Sequence, residues 1–600
     1  MNNSENQIIE NSSIQINEIP KDTENIKEFY ENWNFYIKNG CYWFTEQKGK
    51  KSTEIRISNF LMVILYHLND GTNNTKRIIK IQKDNQEIFL KEVYSSEMTP
   101  DKFEIILKST GCTFKVNSFQ MKSIFEFLMK SEINAKTINS LGYQKEYNIY
   151  AFADSIVNQN NELLKVNDLG IVKDEKNLYY LPAFSLANID NDNYSHDRSF
   201  AYKQGTIDFT QWSKLVYETF GINGAIGISY AIACIFRDII ADELKFFPFP
   251  FLFGGYGTGK TSYIESILHL FGSHTIGTPL SNVTTSALSR ETSQRINSLF
   301  YYKEFTVENS EVANPFILNA YDLSGRTIGE KTTDNKTKKF LPQSGIIFDG
   351  NYLPIQKDAV FSRLILMIFE ENKFSKEQKE SFNILNVHKE NGLSQILKEI
   401  LNFRNLFKSN FKTIYKKHIS DIDEINDYKE IPSRLKNHAA LLTSIYEILY
   451  KVLNFPYPFD NLLFNVIDYM VEQNNMLEDI KDISSFWKAA ECFVNKGLLT
   501  ENKDFVKEEN LFNDEGRIFI KYDTFFSYYI KYCNENQLNK VDKTSLKSLL
   551  TSKSNKSFVP SSQASRKTQA IIKNPIGSSY QFIYTKNDNV IKINNIDLNF

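Results

Sequence analysis

At 600 residues the chain is too long for one hydrophobic core and suits three or four domains of roughly 150 residues each. Its 42% hydrophobic and 24% charged residues exclude wholesale disorder, a collagen-like repeat and a fibrous coiled coil. Seventy basic against seventy-two acidic side chains leave a formal charge of −2, so any nucleic-acid binding has to come from local patches.

Residues 1–30 stay polar, with neither the basic start nor the apolar run of a signal peptide, and read as a flexible tail on a cytoplasmic protein. From 31 to 205, short aromatic and β-branched runs alternate with turn-like breaks, which predicts a β-rich N-terminal domain. Its expected strands include Thr53 to Ile57, Arg77 to Gln82, Glu87 to Val93 and Phe103 to Leu107, with one helix over Ser118 to Met129. Leu141-Gly142-Tyr143 and Leu169-Gly170-Ile171 read as turns, and Tyr179 to Pro182 as a strand running into a stop. Nothing catalytic is visible in this region.

Phe209 to Asp242 has a helical pattern; its apolar stretch Ile222 to Phe236, closed by Arg237 and Asp238, is shorter than the roughly 20 residues a bilayer span requires. A buried helix and no membrane partner are expected. Pro248-Phe249-Pro250 breaks the pattern, and Phe251-Leu252-Phe253 forms a short apolar strand. From about 400 onward the chain reads as helices; Pro432 to Leu453 puts Leu435, Ala439, Leu442, Ile445, Leu449 and Val452 on one face. Thr524 to Asn536 and Thr544 to Leu550 read as helices and Tyr580 to Thr585 as a strand, which suits either a winged helix or a basic linker. The expected segments are thus 1–30, 31–205, a P-loop ATPase domain over 206–400, a helical domain over 401–515 and a possible winged-helix DNA-binding domain over 516–600. The five cysteines are scattered without a Cys-x-x-Cys pair, so neither disulfides nor structural zinc are expected.

The chemistry is carried by Gly254-Gly255-Tyr256-Gly257-Thr258-Gly259-Lys260-Thr261, the phosphate-binding pattern of Gly, four residues and Gly-Lys-Thr, between a strand and the helical run Ser262 to Phe271. Glycines let backbone N–H groups converge on phosphates and the helix N-terminus adds positive dipole. Lys260 suits the terminal phosphates of ATP, and the Thr261 hydroxyl suits Mg2+. A second acidic strand end is expected at Leu299 to Phe305, where Glu304 is the candidate to orient the attacking water. A third strand, Gly345 to Asp349, leads into Asn351, a polar amide suited to sensing the γ-phosphate if that strand neighbours the loop strand. Arg363, just before another apolar run, is either a finger for a neighbour's phosphate or a surface ion pair.

Two basic patches stand out. Arg326, Lys331, Lys336, Lys338 and Lys339 lie between the second and third strands, and Lys543, Lys547, Lys553, Lys556, Arg566, Lys567 and Lys573 form a run free of acidic residues. Either can track phosphates in a salt-sensitive way, or stand as a solvated surface.

The loop, the strand ending at Glu304, Ser344 to Pro354 and Ala359 to Arg363 together resemble the superfamily 3 type AAA+ helicases, most of all the helicase part of bacterial mobile-element primase-helicases. The likeness spans about 205–375, with weaker matches at Leu141 to Tyr143, Tyr179 to Phe184 and Phe486-Trp487. It implies a homo-hexameric ring, a basic hairpin projecting into a DNA-filled pore, Lys260 and Thr261 on phosphate and Mg2+, Glu304 as catalytic acid, Asn351 as sensor and Arg363 as a finger acting across the ring. Lys303 stands where that family carries Asp. No primase signature is visible in the first 200 residues, which leaves a separate primase as a possible partner. The expected activity is ATP-driven DNA translocation; the alternatives are an assembly protein gated by nucleotide, slowed by Lys303, or a defence ATPase.

Overall fold

The computed structural model describes residues 17–600 except 49–50, 273–276, 307, 330–336, 351–353, 355–357, 370–373, 426–430, 502, 509–516, 537, 539, 552–568, 574–578, 584–589 and 595–600. The chain is a multidomain α/β protein that divides into two compact units. The first comprises residues up to 354 with 362–429 and 433–467; the second comprises 355–361, 430–432 and 468–600.

Ordered structure begins ahead of residue 31. Asn17 Nδ2 donates to the Ile64 carbonyl, the Asp22 carboxylate accepts from the amides of Asn39 and Gly40, and Ile26–Trp33 is a helix. Beyond it a six-stranded sheet runs Ile171–Asp174, Asn177–Tyr180, Ile133–Thr137, Phe60–Asn69, Lys76–Lys83, Ile88–Tyr94 in spatial order. The expected strand at Phe103 to Leu107 is instead the helix Pro100–Lys108. Pro100 occupies the first turn, where its missing N–H costs nothing, and Phe103 and Leu107, four apart, are buried together. Ser118–Met129 is a helix as expected, with an Asn117/Gln120 capping box, and both helices share one core with Phe60, Met62 and Ile79.

Leu141–Gln144 is a strand rather than a turn. It belongs to the sheet Leu163–Lys165, Ser155–Val157, Ile149–Ala151, Leu141–Gln144, Arg295–Ile296, and so pairs in parallel with a segment more than 150 residues onward. Gly142 is what permits that approach: its φ is +90°, and a Cβ there would lie 1.9 Å from the Ile296 carbonyl oxygen. We expect Gly142→Ala to lower the unfolding free energy by roughly 2–5 kcal/mol, from left-handed strain plus overlap with the neighbouring backbone. Urea unfolding measures it; a loss below about 0.5 kcal/mol, the size of an ordinary surface substitution, would contradict this packing.

The central sheet of the first unit is five-stranded and parallel, in the order Thr278–Pro279, Leu299–Phe305, Gly345–Gly350, Phe249–Gly254, Leu364–Phe369. The Phe249–Gly254 strand and the first four residues of Gly345–Gly350 carry no polar side chain because both faces of the sheet are covered. On one face lies the helix Phe209–Ile235, kinked at Gly221, where Tyr230 Oη donates to the Ile346 carbonyl and Trp212 Nε1 donates to Ser266 in the helix after the loop. Ser310–Tyr321 covers the other, with Phe316 edge-on to Tyr302. Among the described residues Phe209–Ile235 is the one helix long and apolar enough to cross a membrane, and 78% of its most apolar window is buried within the protein.

Ser433–Leu449 buries Leu435, Ala439, Leu442, Ile445 and Leu449 as the stripe requires, whereas Val452 lies past its end and is exposed. In the second unit Phe505–Glu508, Arg517–Lys521 and Val590–Asn594 form an antiparallel sheet. The helices Tyr522–Glu535 and Lys543–Thr551 share a core there with Phe486, Phe505 and Ile520, and Gln569–Lys573 pairs with Ser579–Ile583.

Candidate nucleotide-binding site

In a parallel sheet all strand C-termini emerge on one edge, and ligands gather where the strand order reverses. The Phe249–Gly254 strand, though first of the five in the chain, sits between the fourth and fifth, so its loop opens at such a reversal. Gly257 and Gly259 adopt φ of +77° and +91°. Among the described residues a Cβ built at Gly257 would meet nothing within 4 Å, and one at Gly259 only Phe374 at 3.8 Å, so neither glycine is closely packed against the rest of the protein. Thr258 Oγ1 donates to the Gly255 carbonyl at 3.0 Å, tying the loop to itself. Lys260 is buried, and its ammonium donates to the carbonyls of Gly254 at 2.6 Å and Gly255 at 2.8 Å. It is therefore held inside the curl of the loop, where phosphate oxygens would compete for it. Helix Lys260–Leu268 starts directly there, with Thr261 exposed in its first turn. Tyr256, 97% exposed, contributes nothing to the core and stands at the loop's outer edge.

Leu299–Phe305 forms with the expected bounds, two strands from the loop strand. Its register with Gly345–Gly350 shifts between Tyr302 and Phe305, and Glu304 takes a left-handed φ of +64°. A bulge of this kind re-aims side chains at a strand end and costs local strain. Lys303 is half-buried, and its backbone registers with Pro279. Glu304 is exposed at the same edge as the loop.

Gly345–Gly350 does neighbour the loop strand, with Asp349 in register with Leu252. Asn351 lies outside the described residues, but Asp349, two positions earlier, is buried at the site. Its carboxylate accepts the Glu304 amide at 3.0 Å, is influenced by the Lys260 ammonium, and lies within interaction range of the Tyr301 hydroxyl. That hydroxyl is also within interaction range of Thr261. Burial pushes the Asp349 carboxyl up, opposed by the Glu304 amide, Lys260 and Tyr301; burial and the nearby Asp349 push the Tyr301 phenol up. Lys260, Thr261, Tyr301, Glu304 and Asp349 thus converge at one edge. Tyr301 and Asp349 were not anticipated, because their role depends on strand order, which spacing along the chain does not encode.

Arg363 is not part of this cluster. It precedes Leu364, which registers with Phe249, five residues before Gly254. Arg363, one residue further, is at about 3.3 Å per residue about 20 Å down the sheet from its own loop. It pairs with Asp322 at 2.9 Å, lies over the Tyr321 ring at 5.3 Å, and is neighboured by Arg434, which donates to Ser362. The nearby His438 is fully buried 3.0 Å from the Tyr321 hydroxyl, and its pKa is lowered from 6.5 to about 3, first by burial and then by Arg434. The unfolded chain then binds this proton first, so the stability His438 contributes is complete above about pH 6.5 and is lost as pH falls toward 3. We expect unfolding free energy to drop about 2 kcal/mol through this group between pH 7 and pH 5, at up to 1.36 kcal/mol per pH unit. The drop should shrink in His438→Gln; an equal drop in that variant would contradict the assignment.

The basic segment between the second and third strands is an antiparallel hairpin, with Arg326–Gly329 paired to Thr337–Phe340 so that Arg326 faces Phe340 and Ile328 faces Lys338. Lys339 is exposed on it, whereas Lys331 and Lys336 lie outside the described residues. In the second unit Lys543 pairs with Asp523 at 3.0 Å and Lys547 lies over the Tyr522 ring at 6.0 Å. Lys553, Lys556, Arg566 and Lys567 lie outside the described residues.

No protein-family model and no curated protein matches the chain. Among solved structures it is similar to the SCCmec type IV Cch active helicase, at 12% identity and a TM-score of 0.51, covering 92% of this chain and 97% of that one. Weaker matches are the NrS-1 C-terminal region (12% identity, TM-score 0.24, 65% of this chain and 88% of that one) and a ligand-bound JCV helicase (13%, 0.21, 44% and 65%). These two carry no argument about the fold. The first match does: nearly end to end, the chain has the fold of a solved helicase.

Proposed function

We propose that the protein is an ATP-driven DNA helicase or translocase of the superfamily 3 AAA+ type, acting as a homo-hexameric ring in a phage or mobile-element replication system. The observation that carries this reading is the convergence of Lys260, Thr261, Glu304 and Asp349 at the loop edge of a five-stranded parallel sheet, in a chain with the fold of a helicase.

Lys260 and the loop amides from Gly254 to Thr261 bind and orient the phosphates of ATP. Mg2+, when bound, neutralises the terminal phosphates and favours departure of the leaving oxygen. The Thr261 hydroxyl would hold it, and Glu304, exposed beside the loop, orients the attacking water. Asn351 reads the γ-phosphate, and Arg363, remote from its own loop, serves the loop of the adjacent subunit. The hairpin carrying Arg326, Lys331, Lys336, Lys338 and Lys339 tracks single-stranded DNA through its phosphates, while Lys543 and Lys547 belong to a C-terminal winged-helix contact with duplex.

Strand displacement on a partial duplex tests the reading. ATP-fuelled unwinding is expected, and it should weaken steeply with salt. ATP-dependent oligomers that bind DNA without turnover or unwinding would instead support the gated-assembly alternative, which Lys303 favours by standing in place of the family's metal-supporting Asp.

A further inference from the structure

We propose that Asp349, on the strand beside the loop strand, supplies the carboxylate that supports the divalent cation at this site, with Tyr301 positioning it against Thr261. This rests on the nucleotide-binding reading above and names the residue that takes over from the acid missing at position 303.

A P-loop cation is held by the Ser/Thr hydroxyl of the loop and supported by a carboxylate from a neighbouring strand. The usual source is the strand that ends here in Lys303-Glu304, and Lys303 cannot serve, since an ammonium repels a cation. Glu304 is exposed and lies within the register shift. Asp349 meets the requirements that these two do not. Its strand is hydrogen-bonded directly to the loop strand and places it level with Leu252, two residues before the loop opens. Its carboxylate is buried yet close enough to Lys260 to feel its charge. The Tyr301 hydroxyl lies within interaction range of both Asp349 and Thr261.

The backbone is arranged around the same group. The bulge at Lys303-Glu304 turns the Glu304 amide onto Asp349 Oδ1 at 3.0 Å, which fixes the carboxylate's orientation and leaves its second oxygen for other partners. Strain at Glu304, with φ of +64°, is the kind that surrounding structure must over-determine. Metal sites depend on such outer contacts for ligand orientation.

The alternative is a purely structural Asp349 that holds the bulge. Asp349→Asn separates the two, because the amide oxygen still accepts from Glu304 while the charge is gone. The measurement is equilibrium binding of a fluorescent ATP analogue to the full chain across a Mg2+ titration, and in EDTA. We expect wild type to bind more tightly with Mg2+, and Asp349→Asn to need roughly 10- to 100-fold more Mg2+ for half-maximal enhancement while binding the metal-free nucleotide at least as well. Tyr301→Phe should shift the Mg2+ midpoint in the same direction by a smaller factor with unchanged binding in EDTA. Should Asp349→Asn unfold at a lower temperature than wild type, Tyr301→Phe carries the test. An unchanged Mg2+ midpoint in a folded Asp349→Asn, or in Tyr301→Phe where that carries the test, overturns the proposal and leaves the nucleotide reading intact. Absence of nucleotide binding by wild type defeats that reading itself.

Discussion

Lys260→Ala is expected to abolish ATP hydrolysis, with a loss of at least roughly 10²- to 10³-fold, and to weaken nucleotide binding severely. Lys260 is buried within the loop and bonded to the carbonyls of Gly254 and Gly255, so its ammonium is preorganised at the position where terminal phosphates arrive. Removing one preorganised donor from a water-poor site costs about 10²–10³ in rate. Here the donor also carries the charge that offsets the phosphates, and alanine leaves the two carbonyls facing them alone. Circular dichroism should be unchanged, because a helix starting with alanine loses no propensity. Isothermal titration with ATP measures the binding, and near-wild-type affinity would mean that the loop does not bind nucleotide.

Arg363→Ala should reduce turnover by roughly 10³-fold or more while nucleotide binding survives, since fingers supplied across an interface contribute about 10³–10⁵ to rate. Its place just before the Leu364–Phe369 strand puts it at the far end of the sheet from its own loop, so as the proposed finger it can serve only the loop of another subunit. That geometry predicts complementation. Lys260→Ala subunits retain Arg363, and Arg363→Ala subunits retain the loop, so mixing two inactive proteins should restore hydrolysis at interfaces that pair the two intact halves. Mixtures as inactive as their components would show that Arg363 does not act in trans, and its pairing with Asp322 over the Tyr321 ring would then be its whole role.

The features legible in the sequence are those with local causes. The P-loop announces itself because the chemistry needs its glycines, lysine and threonine in consecutive positions, and the strand Leu299–Phe305 because an apolar run stops at charge. Ser118–Met129 forms as the sequence predicts, and its Asn117/Gln120 capping box is a local cause of the same kind. Phe103 to Leu107 was misread because Ile105 and Ile106 mimic a β-branched strand; Thr99-Pro100, a helix start, was the signal that outweighs them. Leu141 to Tyr143 was misread for a different reason: its glycine serves close approach to Ile296 rather than a turn, and no local pattern encodes a partner that far along the chain. The same holds at the site. Tyr301, Asp349 and Thr261 come from three separate segments, and only the order of strands brings them together.

Steady-state ATP hydrolysis by the purified chain, with and without single-stranded DNA and with Lys260→Ala and Glu304→Gln as controls, tests the motor reading most directly. The account predicts turnover that DNA stimulates and that both substitutions remove. ATP binding with no turnover, whether or not DNA is present, would contradict it.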